Sequence, residues 1–469
     1  MKIENLFVNE KSKIKDTMKT IDSSGLGIVL IVDKNKKLLG IATDSDIRRA
    51  VMNGVNIESE IEKIMNKTPI VVEESFTKLS ISNLLLEINK QKFPVHGILS
   101  VPVITKNREP TDILFLSDKE YVGKLSDSKL QVKKVRRVLV VGGAGYLGGI
   151  LCKQLLDHGY AVRVLDNLMY GDEGIASLRH HPAFEFIHGD IRDIRVVVKA
   201  IKEIDAVIHL AAIVGDPASA LDPEETIEIN YLSSKILAEV CKQSQINRFI
   251  FASTCSVYGA NEPGKMLDEQ SKLNPVSLYA EMKLNSEKGI LSLEDDNFSP
   301  TILRMGTLFG VSPRMRFDLV INVLTVKAIM EGKFTVFGGN QWRPFCHVKD
   351  AAQAYINCLE APIEAVKGET FNIAPENTTI SDMGKLVKKL ISNAEMIMDE
   401  TQVDQRDYCV SDKKIRNIIG YNHKYTISDG IKEIKSTILI EKKYTDYQSA
   451  KYYNHTYIRE SREKSLEEF

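Results

Sequence analysis

From residue 137 onward, short β-branched and aliphatic runs alternate with stretches whose apolar residues recur every three to four positions. RVLVV, AVRVLD, DAVIHLAA and RFIFAST read as buried strands, and GGILCKQLLDHG and ILAEVCKQS read as helices buried along one face. That rhythm predicts an α/β fold, a doubly wound, mostly parallel sheet with helices on both faces. From about residue 300 the alternation loosens, as expected for a small C-terminal substrate lobe. The first 122 residues follow a different plan. Residues 26–43 predict two strands joined by a charged turn, and DSDIRRAVMNG predicts a helix with Asp44 or Asp46 as N-cap and Gly54 as its stop. Residues 98–122 repeat strand, turn and strand, with turn residues Asn35 and Asn107 lying 72 positions apart. Helical patterns precede both copies, around Ser12–Ile21 and in LSISNLLLEINKQ. The two copies predict an α+β pair of units, each too small to bury its face alone. The resulting plan is a pair over 1–122, a polar linker over 123–136, the α/β domain over 137–440 with its lobe from about 300, and a tail over 441–469. The tail is polar and dotted with tyrosines, the pattern of a docking arm or a disordered end.

Composition narrows the function classes. The 469 residues carry 62 basic and 63 acidic side chains, a formal net charge of -1, which gives no electrostatic case for nucleic acid or an anionic membrane as partner. The opening MKIENLFVNEKSKIKD lacks the apolar core of a signal peptide, and no apolar run is long enough to span a bilayer. The six cysteines are scattered without a CxxC pair, which argues against a zinc site and against a disulfide framework. The expectation is a cytoplasmic protein with free thiols and no metal.

Two clusters carry chemistry. In VLVVGGAGYLGG, the glycines Gly142, Gly145 and Gly148 follow a strand and open a helix. Such a turn lets a pyrophosphate approach the backbone and the helix N-terminus. A second strand ends at Asp166, 24 residues after Gly142, at the distance expected of an acid that grips the adenosine ribose. A carboxylate there repels a 2′-phosphate and favours NAD over NADP. The competing explanation is a packing turn with no ligand. The second cluster is SLYAEMK, which puts Tyr279 and Lys283 on one helix face. A lone YxxxK is common on solvated helices. Its weight comes from FASTCSVYG upstream, which places Thr254 at the C-terminal edge of the predicted sheet, where ligands bind in such folds.

With GGAGYLG, LDNL, HGDIRD, VIHLAA, EINYLSS, STCSVYG, NPVSLYAEMK, LRMGTLFG, RPFCHVKD and RDYCVS in order, residues 136–440 resemble the extended short-chain dehydrogenase/reductase family, the group of NAD-dependent nucleotide-sugar epimerases and dehydratases. The resemblance implies a Rossmann-type sheet with NAD along the glycine turn, including Tyr146 and Leu147, and beside Asp166 and Asn167. It implies that Asp190 and Ile191 flank the adenine, and that Leu210, Ala211, Ala212 and Asn230 border the cofactor. It makes Tyr279 the acid/base, Lys283 its partner and Thr254 the neighbouring hydroxyl. A phenol of pKa about 10 is a poor base at neutral pH, and a nearby ammonium and a cationic nicotinamide ring favour its phenolate.

Dehydratases of the family carry Thr-Asp-Glu where this chain has Thr254-Cys255-Ser256, so elimination of water is disfavoured. Epimerisation, at sugar C4 through a keto intermediate, is then the first expectation. A nucleotide-sugar 4-dehydrogenase that releases the keto-sugar and a non-catalytic nucleotide sensor are the alternatives. Thr307 stands where many members have Asn. Arg314, Arg316, Arg343 and Arg406 are candidates for the substrate diphosphate, since guanidinium suits phosphate geometry. Asn322 is a candidate for the nucleotide, and Asp216 for the sugar pocket or a turn cap. His347 reads as structural and Cys255 as a filler. The family implies a homodimer through the helices carrying Asn230–Cys241 and Tyr279–Leu291. Separately, GIATDSDIRRAV resembles the signature of CBS domains, which work in pairs and often bind adenine nucleotides. It assigns Thr43 and Asp46 to the ligand. The second copy has Ser117 and Glu120 at those places.

Overall fold

The computed structural model describes residues 2–24, 26–76, 99–116, 121–124, 135–261, 265–401 and 406–467. It divides into two compact units, Met1–Arg136 and Arg137–Phe469.

The larger unit is built on seven strands. They are β1 (Arg137–Val141), β2 (Ala161–Asp166), β3 (Phe184–His188), β4 (Ala206–His209), β5 (Arg248–Thr254), β6 (Ser299–Met305) and β7 (Thr370–Ile373). All pairs are parallel, in the spatial order β3-β2-β1-β4-β5-β6-β7. β4 and β6 are buried along their whole length, as expected of strands covered on both faces; β6 carries the buried polar Ser299, Thr301 and Arg304 within it. Leu139, Val207, Leu237, Phe249 and Phe298 form one of the cores between sheet and helices. The strand order reverses direction between β1 and β4. In open α/β sheets such a point leaves a crevice at the carboxyl ends of the strands, where ligands bind.

The lobe is not one continuous piece from residue 300. β6 and β7 belong to the main sheet, β7 adding on beyond β6 at its edge. The lobe itself uses Thr307–Phe309 and Glu376–Thr379 paired to Trp342–His347, and Lys333–Phe337 paired to Glu395–Asp399. Helices Val320–Met330, Ile380–Leu390 and Ile427–Leu439 share its core through Ile321, Val387 and Ile431. The tail, expected as an arm or as disordered chain, instead packs on its own unit. Tyr444, Tyr447 and Tyr452 surround the buried Phe317 ring edge-on, at centroid distances of 5.5, 6.2 and 5.3 Å. A helix then runs over Asn454–Glu467. Polar composition hid an aromatic anchor, because tyrosine buries its ring while its hydroxyl finds a partner.

In the smaller unit, Phe7–Asn9 lies parallel to Ile28–Val32, which pairs antiparallel with Leu38–Thr43. Val72–Glu73, Leu99–Ile104 and Pro110–Leu116 repeat that order, and Tyr121–Lys124 adds a further strand. The hairpin register shifts at Ile31/Val32 and again at Val103/Ile104. Helix Ile14–Ser24 precedes the first hairpin, and helix Asp44–Met52 follows it. The N-cap of the second helix is Thr43, not Asp44 or Asp46: the Thr43 hydroxyl accepts from the Asp46 N–H at 3.2 Å. A hydroxyl at the extended residue before the helix reaches that donor, whereas a carboxylate inside the first turn points back to the cap. The expected helix LSISNLLLEINKQ, Ser117 and Glu120, and most of the linker lie outside the described residues. Among the described residues, no helix is long and apolar enough to cross a membrane.

Candidate active site

The sheet's carboxyl edge opens into a cavity of about 760 Å³. Its floor is the turn after β1. Gly142 has φ of 85°, and a Cβ there would sit 2.5 Å from the Ala211 nitrogen, so only glycine lets β1 and β4 approach this closely. A Cβ on Gly148 would meet the Gly142 oxygen at 2.5 Å. Gly145 differs: a Cβ there would touch only the Gly142 oxygen, at 3.5 Å, with open space beyond. Gly145 is also the N-cap of helix Tyr146–Asp157 and makes no side-chain cap, so the first N–H groups of that helix face the cavity uncapped. An anion fits that end.

Asp166 sits at the end of β2, half buried. Its Oδ2 accepts from Ala144 N–H at 2.9 Å and its Oδ1 from Leu168 N–H at 2.8 Å. Burial raises its pKa against those two bonds. A carboxylate offers about four acceptor positions, so two remain for a ribose diol. Asp190 and Ile191 line the same end, as do Tyr146, Leu147, Asn167, Leu210, Ala211 and Ala212. Burial works against ionisation of Asp190, but the Arg192 guanidinium, at 2.9 Å, outweighs it and holds the carboxyl below its ordinary range. These features fit an adenine dinucleotide: open space at Gly145, uncapped amides, and an acid with free lone pairs.

Thr254, Tyr279 and Lys283 line the same cavity. Ser277 caps helix Leu278–Leu291, accepting from the Ala280 N–H, and fixes where Tyr279 enters. The Thr254 hydroxyl accepts from the Ser256 N–H at 3.1 Å. Burial pushes the Tyr279 phenol well above its ordinary pKa, with Asp216 adding to the rise, while the neighbouring Thr254 favours the phenolate. Lys283 is 2% exposed and its Nζ donates to the Ala252 carbonyl at 2.8 Å. Burial pulls it down to about 7, opposed by Glu287 one turn further on. Glu287 pairs with Arg304 at 2.8 Å and accepts from Ser253, while Arg304 donates to the Tyr258 hydroxyl at 3.0 Å. The sequence reading missed this buried network, although Glu287 continues the Tyr279–Lys283 stripe by one more i, i+4 step. Cys255 is 1% exposed and its thiol donates to the Arg304 carbonyl, a packing role. Ser256, beside it, does line the cavity.

At the far end lie Asp216, Arg314, Arg316, Arg343 and Arg406. Asp216 pairs with Arg406 at 2.9 Å and accepts from Ser277 at 2.7 Å. Arg316 makes a two-pronged pair with Asp318, at 2.8 and 3.0 Å. Arg343 donates to the Trp342 and Arg406 carbonyls. Two expected residues fall elsewhere. Asn230 is fully buried in a π-helical turn, and its amide exchanges both hydrogen bonds with the Ile213 backbone, at 2.8 and 2.9 Å. Asn322 is fully buried too, bonded to Gly310 N–H, the Arg316 carbonyl and the Tyr146 hydroxyl. Both side chains are spent on holding loops, and neither lines the cavity. His347 caps helix Val348–Glu360 and pairs with Glu433 at 3.0 Å, in a buried corner. Sequence reading also missed Asn454 and His455, which the tail brings into the cavity wall.

Residues 138–374 match the family model described as NAD dependent epimerase/dehydratase family. The chain belongs to that family. It is therefore an NAD-dependent enzyme of the epimerase/dehydratase group. Residues 1–53 match the CBS domain. The chain is 29% identical over 320 residues to a UDP-glucose 4-epimerase of Lactobacillus helveticus, covering 63% of this chain and 94% of that protein. A putative UDP-glucose 4-epimerase of Methanocaldococcus jannaschii is 29% identical over 305 residues, covering 63% and 96%. Among solved structures, the UDP-glucuronic acid 4-epimerase from Bacillus cereus, in complex with UDP-glucuronic acid and NAD, superposes with a TM-score of 0.58 at 28% identity, covering 64% of this chain and 99% of that one. In the segment that matches the CBS domain, Thr43 and Asp46 are committed to each other. The Thr43 hydroxyl donates to Asp46 Oδ2 at 2.7 Å, and the same oxygen accepts from Thr43 N–H at 3.0 Å.

Proposed function

We propose that this enzyme is a nucleotide-sugar epimerase that inverts C4 through a keto intermediate. The observation that carries the reading is the meeting of Thr254, Tyr279 and Lys283 on a cavity that the glycine turn also lines, with Cys255 and Ser256 where elimination would need carboxyl groups. Bound NAD supplies a hydride acceptor for the oxidation and a donor for its reversal. Tyr279 takes the proton of the sugar hydroxyl as the carbon loses hydride, and returns it when hydride comes back to the opposite face. Thr254 holds the same oxygen in line, a positioning contribution. Lys283 lowers the cost of the phenolate when it is charged. Glu287, itself balanced by Arg304, favours that charged state from the next turn. Asp216, Arg314, Arg316, Arg343 and Arg406 border the end left for the sugar diphosphate. We extend the proposal to a homodimer through the helices carrying Asn230–Cys241 and Tyr279–Leu291, and to an adenine nucleotide at Thr43 and Asp46 that regulates turnover.

The test is a panel of UDP-, GDP-, CDP- and dTDP-sugars, followed by reduced-nicotinamide fluorescence and product mass together. An isomer of unchanged mass without lasting NADH is the expected result. Lasting NADH with a product two hydrogens lighter would replace epimerase by dehydrogenase. Loss of water would overturn the argument from Cys255 and Ser256.

A further inference from the structure

The tail touches three separate loops that line the cavity. Its Tyr457 ring packs on Tyr170, in the loop after β2, at a centroid distance of 5.9 Å. The Asn454 Nδ2 donates to the Val214 carbonyl, in the loop after β4, at 3.4 Å. The Asn454 N–H donates to Asp318, in the loop that leads into lobe helix Val320–Met330, at 3.0 Å. Asn454 and His455 themselves line the cavity. One short segment therefore joins the lobe to two loops of the main sheet beside the space left for ligands.

The tail is held firmly at one end and lightly at the other. Residues 444–453 form its root. The rings of Tyr444, Tyr447 and Tyr452 enclose Phe317, the Tyr444 hydroxyl donates to the Ser312 carbonyl at 3.2 Å, and the Phe317 N–H donates to the Tyr452 carbonyl at 2.9 Å. Helix Asn454–Glu467 has less to hold it. Of residues 454–463, Asn454 and Ile458 alone are buried. Ile458 rests among Ile213, Ala218 and Ile229, and Arg462 pairs with Asp222 and Glu225 near the surface. Surface ion pairs contribute little, and an element with one buried apolar side chain lies at the low end of local stability. A fixed root with a lightly held helix beyond it is the build of a strap that can lift and close.

We propose that helix Asn454–Glu467 is a strap that keeps the keto-sugar in the cavity between the two hydride transfers. The inference rests on the epimerase reading above. Val214 lies two residues from Asp216, and Asp318 is the partner of Arg316, so the strap's anchors sit at the end proposed for the substrate. An epimerase has to hold its oxidised sugar while the ring turns over. If the sugar leaves early, the hydride stays behind as NADH, the hydroxyl proton passes to solvent by way of Tyr279, and the product is two hydrogens lighter.

The test uses the full chain carrying Arg462→Glu or Ile458→Asn, with the same panel of UDP-, GDP-, CDP- and dTDP-sugars. Arg462→Glu sets like charges against Asp222 and Glu225 at the surface, so it remains informative if Ile458→Asn folds poorly. On the sugar that the parent turns over, the share of turnovers ending in lasting NADH and the lighter product should rise roughly tenfold in each variant, with NAD affinity within about twofold of the parent's. An unchanged share in both variants would overturn the proposal. So would a fall in turnover with a lowered melting temperature and no lighter product, which marks a structural role. A parent that itself leaves lasting NADH fails the epimerase reading and takes the strap with it. A parent that gives the isomer, beside variants that leak no more than it does, fails the strap alone.

Discussion

Two helix starts in this chain are both ligand candidates from the sequence and differ in what they leave open. Helix Tyr146–Asp157 begins at Gly145, which offers no side chain to its first N–H groups. Helix Asp44–Met52 begins at Thr43, whose hydroxyl and backbone N–H are closed in a reciprocal capping box with Asp46. The same division runs through the two units. The larger one keeps buried polar groups in waiting: Lys283 pulled down to about 7, Tyr279 pushed up, and Arg314 pulled down to about 10. In the smaller one, Thr43 and Asp46 are settled on each other. Removing a group that waits should harm ligand binding or turnover and leave the fold as stable or more so. Removing a settled group should harm the fold.

The largest effect falls on Tyr279. Tyr279→Phe deletes the proton carrier, and turnover of the active nucleotide sugar should fall by about 10²–10⁴-fold. NAD affinity and melting temperature should stay near the parent's. A variant that kept its full biological effect would support a non-catalytic sensor instead. Next comes the turn. Gly145→Ala has room for its Cβ but puts it where an anion would approach, so affinity for NAD should weaken roughly tenfold, about 1.4 kcal/mol, with little change in melting temperature. Gly148→Ala should do the opposite first and unsettle the fold, since its Cβ meets the backbone oxygens of Gly142 and Gly143 at 2.5 and 2.6 Å.

Lys283 sharpens the contrast through pH. Its folded pKa of about 7 lies below the ordinary lysine value. Between the two, the unfolded chain holds one proton more than the folded one, so this group makes stability rise with pH across that window. Below pH 7 both states are charged and the burial penalty is complete. Lys283→Met should therefore stabilise the unliganded larger unit by about 1–3 kcal/mol below pH 7, after losing the bond to Ala252. The gain should fade as pH approaches 10. Thermal melts across pH, read on the transition that NAD shifts, check this. A flat difference between variant and parent would mean that Lys283 is held charged.

How much of this was legible depended on whether a residue's task is local. The glycine turn, Asp166, and the Tyr279–Lys283 step are set by spacing within one or two elements, and the cavity contains them all. The parallel sheet followed from the alternation of buried strands and helices, and the loosening of that alternation near residue 300 hid that β6 and β7 still belong to the sheet. Asn230 and Asn322 look like ligand residues by type, yet a buried amide can equally hold two loops, and only the partners 17 and 12 positions away decide that. Arg304 and Asn454 act across 17 and 240 positions, on Glu287 and Val214, with no period to reveal them. The tail was least readable, because burial of tyrosine rings around Phe317 leaves no apolar stripe.

The smallest expected effect tests the closed end of the comparison. Thr43→Ala opens one half of the capping box: the Asp46 N–H loses its acceptor, and Asp46 Oδ2 loses the hydroxyl but keeps the backbone N–H of residue 43. Loss of such a cap costs about 0.5–2 kcal/mol, so the transition that NAD does not shift should move down by that amount. Turnover should be unchanged when no adenine nucleotide is present. A nucleotide that used Thr43 and Asp46 would compete with a 2.7 Å hydroxyl–carboxylate bond already formed. Its stabilisation of the parent should then be smaller than the loss caused by Thr43→Ala, and should vanish in the variant. Titrating AMP, ADP, ATP and S-adenosylmethionine against both proteins separates the cases. A shift that persists in Thr43→Ala places any ligand elsewhere in the unit. A large shift that disappears with Thr43 would move this helix start into the same open class as Gly145.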